Sequence, residues 1–336
     1  MKKHLIAAAV AATFAVPAVA QVTVYGRLDA GYSSYNASTA AGDQAGVGYN
    51  ADSTSRLGFR GSEDLGGGLK ASFVLEASIA GNGGSMNNTT DVSTAQSSSF
   101  SAFQRAQFLA LSGGFGELRI GLINSLNKDI NDGFNPGGAS NVTGKLTNVL
   151  TDGIAVKTRG ASRDNAIAYT SPSFSGLTVT AAALRQEDDT VKTGTGTEVG
   201  LNFKQGKFAA AVAQRSVKGT SPYDTDNTSF GASFDAGVAT FLVSYAKVET
   251  ESATTRTDEA TEFGVRIPLG SISAFASVTD GETKTITAGS AETLSASQYG
   301  VRYTLSKRTY AYAIRGEAEI GTEKASQFAV GLVHSF

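Results

Sequence analysis

The sequence contains no cysteine, which excludes a disulfide framework, a thiolate metal site and a cysteine nucleophile. It has only two histidines. His4 falls in the N-terminal leader, and His334 stands three residues from the end of the chain. A serine–histidine hydrolase needs a third orienting group and shelter from bulk water, and neither position offers them. Basic residues are not in excess, so there is no electrostatic footprint for nucleic acid. Prolines number only five. Beyond the leader no apolar run approaches the roughly 20 residues of a membrane-spanning helix. That excludes a helical membrane protein but not a barrel, whose strands expose only alternate residues to lipid.

The leader has the form of a secretory signal peptide over residues 1–20. Lys2 and Lys3 begin it, Leu5 to Val16 form a short apolar core, and Ala18-Val19-Ala20 is a small-x-small cleavage site. Cleavage is expected before Gln21. The mature chain, 21–336, then carries 26 basic against 30 acidic side chains, because the leader takes two lysines with it. Without disulfides, an exported chain of this length must close through its own sheet.

What is present in quantity is glycine, 39 residues, and alternation with a period of two. In the segment Val22 to Ala30, the even positions are Val, Val, Gly, Leu and Ala, and the odd ones Thr, Tyr, Arg and Asp. Leu57 and Phe59 alternate with Arg56, Gly58 and Arg60. Leu69, Ala71, Phe73 and Leu75 alternate with Lys70, Ser72, Val74 and Glu76. Leu118, Ile120 and Leu122 alternate with Glu117, Arg119 and Gly121. An apolar face backed by an ionisable one suits lipid outside and water inside. A soluble sandwich would place larger residues than Gly, Ala and Thr on its buried face. Breaks between the segments alternate in size. Tight ones fall at Ser62–Gly68, Gly113–Gly116, Ser171–Gly176, Lys204–Gly206, Ala236–Gly237, Pro268–Gly270 and Leu305–Lys307. Long ones fall at about 34–52, 80–100, 124–161, 187–196, 218–227, 250–258, 280–293 and 319–325. The pattern predicts an all-β, 16-stranded antiparallel transmembrane barrel with two unlike ends.

Five stretches carry a family resemblance: VTVYGRLDAGY (22–32), SRLGFRGSEDLGGGLKASFVLE (55–76), FQRAQFLALSGGFGELRIG (103–121), RDNAIAYTSPSFSGLTV (163–179) and the terminal VGLVHSF. They resemble the general diffusion porins of Gram-negative bacteria, in particular the β-proteobacterial outer-membrane porins. The resemblance implies a homotrimer in the outer membrane, among lipid and lipopolysaccharide, that passes small hydrophilic solutes by diffusion. It also implies a third external loop, here about 124–161, folded into the barrel, and a terminal phenylalanine, Phe336, read by the barrel-assembly machinery. The sequence departs from the family where Leu122 and Ala168 replace arginines that many members carry. Phe134-Asn135-Pro136-Gly137-Gly138 stands in place of a Pro-Glu-Phe-Gly loop motif.

Strand phase predicts the constriction. Arg27, Arg56, Arg105 and Arg119 each take the lumen phase near mid-height, with Tyr25, Glu76 and Glu117 among them. The third loop offers Asp129, Asp132 and Asp152 as an opposing acidic wall, together with Lys128, Lys145, Lys157 and Arg159. Such an eyelet predicts a mild anion preference. The plainer reading pairs Arg27 with Asp29 or Glu76, and Arg119 with Glu117, as wall-stiffening salt bridges. Glu187-Asp188-Asp189 and Asp258-Glu259 read as solvated loop charge. No cofactor and no metal are expected. The rival functions are a solute-specific channel, which would want an aromatic track or a denser charge ladder than Tyr25 and four arginines supply, or a surface adhesin acting through its loops.

Overall fold

The computed structural model describes residues 22–38, 43–79, 103–146, 163–185, 195–220, 223–251, 255–285 and 290–336. The leader and Asp152 lie outside the described residues. Among the described residues, seventeen strand segments form one closed antiparallel sheet. In chain order these are β1 (Thr23–Ala37), β2 (Gln44–Tyr49), β3 (Arg56–Gly66), β4 (Leu69–Ser78), β5 (Ala106–Gly113), β6 (Gly116–Asn124), β7 (Arg163–Thr170), β8 (Leu177–Arg185) and β9 (Thr195–Gln205). They continue with β10 (Phe208–Thr220), β11 (Tyr223–Asp235), β12 (Thr240–Glu251), β13 (Thr255–Leu269), β14 (Ile272–Thr285), β15 (Ser290–Thr304), β16 (Thr309–Ile320) and β17 (Glu323–Ser335). A short helix, α1 (Leu126–Gly133), follows β6. Segments β2 and β3 pair with successive stretches of β1, at 30–35 and 23–27, so together they make one stave. The barrel therefore has sixteen staves, as the alternation predicts.

Closure runs through β1 and β17, from Arg27↔Ser335 to Ala37↔Ala325. Phe336 completes it: its N–H donates to the Gly26 carbonyl at 3.1 Å, and its own carbonyl accepts from Gly26 N–H at 3.0 Å. The Phe336 ring lies over Gly26, where a Cβ would stand 2.3 Å from Cζ. A glycine there lets the terminal aromatic lie flat on the seam.

The outward face carries Leu109, Val199, Phe241 and Phe263, all exposed. Leu57 and Phe59 face outward with Gly26 and Val24, and Phe73 and Leu118 share the phase of Leu109 and Leu111. The seven tight turns stand at one end of the barrel. Three glycines at positive φ, Gly66, Gly67 and Gly68, open the first of them.

The other end differs from expectation. The breaks expected near 218–227, 250–258, 280–293 and 319–325 are mostly strand: β10 runs to Thr220, β12 to Glu251, β14 to Thr285 and β16 to Ile320. Asp258 and Glu259, read as loop charge, lie within β13. Asp258 is buried on Arg256 at 2.8 Å and Thr283 at 2.7 Å. The reason is that apolar alternation stops where the outward face leaves lipid, whereas the hydrogen-bond ladder has no need to stop. On β12 the outward positions change from Phe241, Val243 and Tyr245 to Lys247, Glu249 and Glu251, while the inward ones, Ser244 to Thr250, stay buried.

The inner face is also not uniformly polar. Val142 packs with Phe275, Tyr312, Ile314, Ala329 and Val333; Leu146 with Ala246, Ala260 and Leu294; Ile130 with Ala211 and Ala213. The first residue of each group comes from the segment after β6, which lies against the inner wall. Lumen-phase residues there are apolar because protein covers them.

Candidate functional site

That covering segment begins with α1. Ser125 caps it, its Oγ accepting from Lys128 N–H at 3.2 Å, and Asp129 sits in the first turn. One face, Leu126, Ile130 and Phe134, packs on β9 to β11. The opposite face turns Lys128, Asp129 and Asp132 to the open lumen. Beyond the helix the chain crosses the barrel on a series of buried and part-buried hydrogen bonds. Asn135 Nδ2 donates to Glu262 at 2.7 and 2.8 Å, Arg266 donates to the Pro136 carbonyl at 3.1 Å, Gln298 donates to the Val142 carbonyl at 2.8 Å, and Thr143 N–H donates to Gln327 at 3.0 Å. Wall glycines let it lie close. A Cβ at Gly231 would stand 2.2 Å from Phe134, one at Gly264 2.0 Å from Pro136, and one at Gly316 1.6 Å from the Thr143 carbonyl oxygen.

Between this segment and β3–β6 a cavity of about 330 Å³ remains. Its charged lining is Arg56, Arg105, Arg119, Lys128 and Lys145 against Glu76, Asp129 and Asp132. Glu76 is the centre of the wall side. Arg105 Nε donates to it at 2.8 Å, Arg56 approaches within 3.7 Å, and Tyr25 OH donates at 3.0 Å. Arg119 pairs with Glu117 at 2.6 Å and lies over the Phe108 ring at 5.5 Å. That pair is half exposed and contributes about 0–1 kcal/mol at most to stability.

Four expectations change here. Arg105 precedes β5 and reaches Glu76 from a turn, not from the lumen phase of a strand; strict alternation would send it outward with Leu109. Arg27 is off the cavity and pairs with neither Asp29 nor Glu76. It donates instead to Ser53 at 2.9 Å and Ser335 at 3.3 Å. Tyr25 and Glu117 stand behind the lining, as partners of Glu76 and Arg119. The loop is not an acidic wall, because Asp132 is bound by both Lys128, at 2.7 Å, and Lys145. Burial would raise the Asp132 pKa, but the two ammonium groups override it and hold the carboxyl at about 2. Asp129 differs. Enclosure within the barrel raises its pKa above the ordinary carboxylate value, against the lowering effects of Asn124 and Lys128.

Of the two positions lacking a family arginine, Ala168 is buried inward beside Ile123 and Ala166, whereas Leu122 shares the outward phase with Ile120. Only the first bears on the lumen. Residues 50–55, between β2 and β3, adjoin the site although strand periodicity gives no sign of it. They turn inward with Asp52 and Ser53 buried, and Ser53 Oγ accepts from both Arg27 and Arg56, the latter at 3.1 Å. The signal available was the polar run Asn50-Ala51-Asp52-Ser53-Thr54-Ser55, which reads equally well as ordinary loop.

Comparison with known proteins agrees with this architecture. Residues 7–320 match the Gram-negative porin family. The chain is 34% identical over 252 residues to outer membrane porin protein 32 of Delftia acidovorans, covering 71% of this chain and 67% of that one. It is 34% identical over 215 residues to the major outer membrane protein P.IB of Neisseria meningitidis serogroup B, covering 62% of this chain and 57% of that one. Among solved structures, an anion-selective porin from Comamonas acidovorans superposes with a TM-score of 0.76 at 24% identity, over 94% of this chain and all of that one. OmpT of Vibrio cholerae in its trimer form gives 0.68 at 16% identity, over 94% and 99%. A closed barrel with a segment folded across its lumen, and a family match over nearly the whole chain, lead to one conclusion: the chain belongs to the Gram-negative porin family and is an outer-membrane pore.

Proposed function

We propose that the pore passes small hydrophilic solutes with a mild preference for anions, and that the 330 Å³ cavity is its constriction. One observation carries this reading: five cationic side chains line the cavity against three carboxylates. Charges on the outer rim are screened over about 8 Å at physiological salt, so the acidic balance of the whole chain counts for less than the local field. The reversal potential of the purified protein in a planar bilayer under a salt gradient tests it. An anion-sign potential is expected, and a cation-sign potential overturns the proposal.

The same site predicts a pH response. With its raised pKa, Asp129 takes up its proton at a higher pH than Asp132 as the solution is acidified. Asp132, held at about 2, is still ionised when Asp129 has become neutral. The cationic surplus therefore grows by one and anion preference rises on acidification. In Asp129→Asn the surplus is already larger at pH 7, and the acid-induced change should shrink. An equal change in the variant would remove Asp129 as its source.

The proposal extends to biogenesis and assembly. The leader 1–20 is cleaved, the mature chain forms a homotrimer among outer-membrane lipid and lipopolysaccharide, and Phe336 serves the barrel-assembly machinery. The chain acts as a channel and not as an enzyme. Phe336→Ser keeps the backbone bonds to Gly26 available but removes the ring from the seam. Folded, heat-modifiable protein in the outer membrane should fall severalfold, while channels that do form conduct as wild type. Wild-type yields of the variant would refute the assembly role.

A further inference from the structure

The lumen face of β5 carries Ala106, Phe108 and Ala110, so one stave of an otherwise charged wall is apolar. Phe108 stands between two cationic levels. Toward the loop end, Ala106 lies opposite Glu76, which holds Arg105 and Arg56. Toward the turn end, Ala110 lies opposite Arg119. Successive lumen positions on a strand are about 7 Å apart, so both levels are within reach of a small molecule placed at Phe108. Tyr25 stands behind the lining, and among the described residues Phe108 is the aromatic that borders the cavity, with Ala106 and Ile123 beside it. One side of Phe108 packs against the buried cluster of Ile123 and Ala166, and the side chain stays partly exposed. The Arg119 guanidinium lies over its ring at 5.5 Å. Opposite Phe108 on β6 is Gly121, at φ 132°, where a Cβ would stand 2.2 Å from the Gln107 carbonyl oxygen. That position can carry no side chain, and β7 continues the level with the small Ala166. No long side chain fills the wall beside the ring at this height. An inorganic anion gains nothing from such a ring, whose face is electron-rich. A carboxylate attached to an aromatic ring gains twice. Its charge meets a guanidinium, and its ring displaces water from Phe108 and stacks on the plane of Arg119.

We propose that Phe108 makes the pore discriminate among anions, favouring monocarboxylates that carry an aromatic ring over hydrophilic anions of equal charge. This rests on the cavity being the constriction and on its preference for anions. Benzoate and lactate are the probes, and their permeability ratio is read from bi-ionic reversal potentials in a planar bilayer. Lactate is the smaller, so sieving alone favours it. In wild type the benzoate-to-lactate ratio should nevertheless exceed the ratio of their aqueous diffusion coefficients severalfold. Phe108→Gln removes the ring without adding a charge and should lower the ratio roughly fivefold, the scale of one aromatic contact. A mere widening of the pore would act the other way, easing the larger anion. Phe108→Leu keeps an apolar side chain against the Ile123 cluster and should fall between the two. The potassium-to-chloride ratio should stay as in wild type in both variants, since no charge is altered. A folded Phe108→Gln channel that keeps the wild-type benzoate-to-lactate ratio overturns the proposal. A wild-type ratio no higher than that of free diffusion also overturns it, whether or not either variant folds. The two readings fail separately. A cation-sign potential in potassium chloride sinks the anion preference, and an anion-sign potential with no benzoate preference sinks the role of Phe108 alone.

Discussion

Replacing Arg56 and Arg105 together with glutamine should move the zero-current potential in a salt gradient from the anion side toward the cation side. Both line the cavity proposed as the constriction, and together they equal its whole cationic surplus. Across about 8 Å of water a unit charge interacts with a permeating ion by about 0.5 kcal/mol. Two charges then change the permeability of each ion by roughly fivefold, in opposite directions for anions and cations, and the effect is larger where protein displaces water. Glutamine at 105 can still donate to Glu76, so the wall keeps its shape while losing its field. The single-channel current of bulky cationic solutes should rise with the shift. A double variant whose reversal potential stays at the wild-type value would mean that these arginines lie outside the path of the ions.

Gly316→Val should narrow the pore. A Cβ at this position would stand 1.6 Å from the Thr143 carbonyl oxygen, which is backbone and cannot swing aside as a side chain would. The segment must withdraw from the wall by more than an ångström, toward the lumen. Overpacking of this kind costs about 1–3 kcal/mol, which a closed barrel of sixteen staves can absorb. Single-channel conductance should drop markedly, with the sign of selectivity kept because no lining charge is altered. Gly114→Val is the matched control, since nothing lies within 4 Å of its added Cβ. Equal conductance in wild type, Gly316→Val and Gly114→Val, all folded, would show that the wall glycines do not set the width.

Barrel strands were legible in the sequence because lipid on one side enforces a period of two, as at Val22–Ala30 and Leu69–Glu76. The same criterion failed beyond the lipid boundary. Lys247, Glu249 and Glu251 look like loop residues but face outward from a continuing strand. It failed again for the lumen phase of β8 to β17, where Ala213, Ile314 and Ala329 are apolar because the crossing segment covers them.

The sequence by itself determined the class of wall and its stave count, because alternation and glycine-rich turns are local properties that need no partner far along the chain. It also marked Arg56, Arg119 and Glu76 as lumen groups, since each follows from the phase of its own strand. Only the tertiary structure decided which charges meet. Lys145 cancels Asp132 thirteen residues away, Arg302 reaches Asp52 across 250 positions, and Arg27 turns from its acidic neighbours to Ser53. Those pairings depend on where a segment crosses the lumen and which glycines let it approach. A strand's periodicity carries no record of a contact made by a distant loop, and for that reason the net charge of the cavity could be read only from the folded chain.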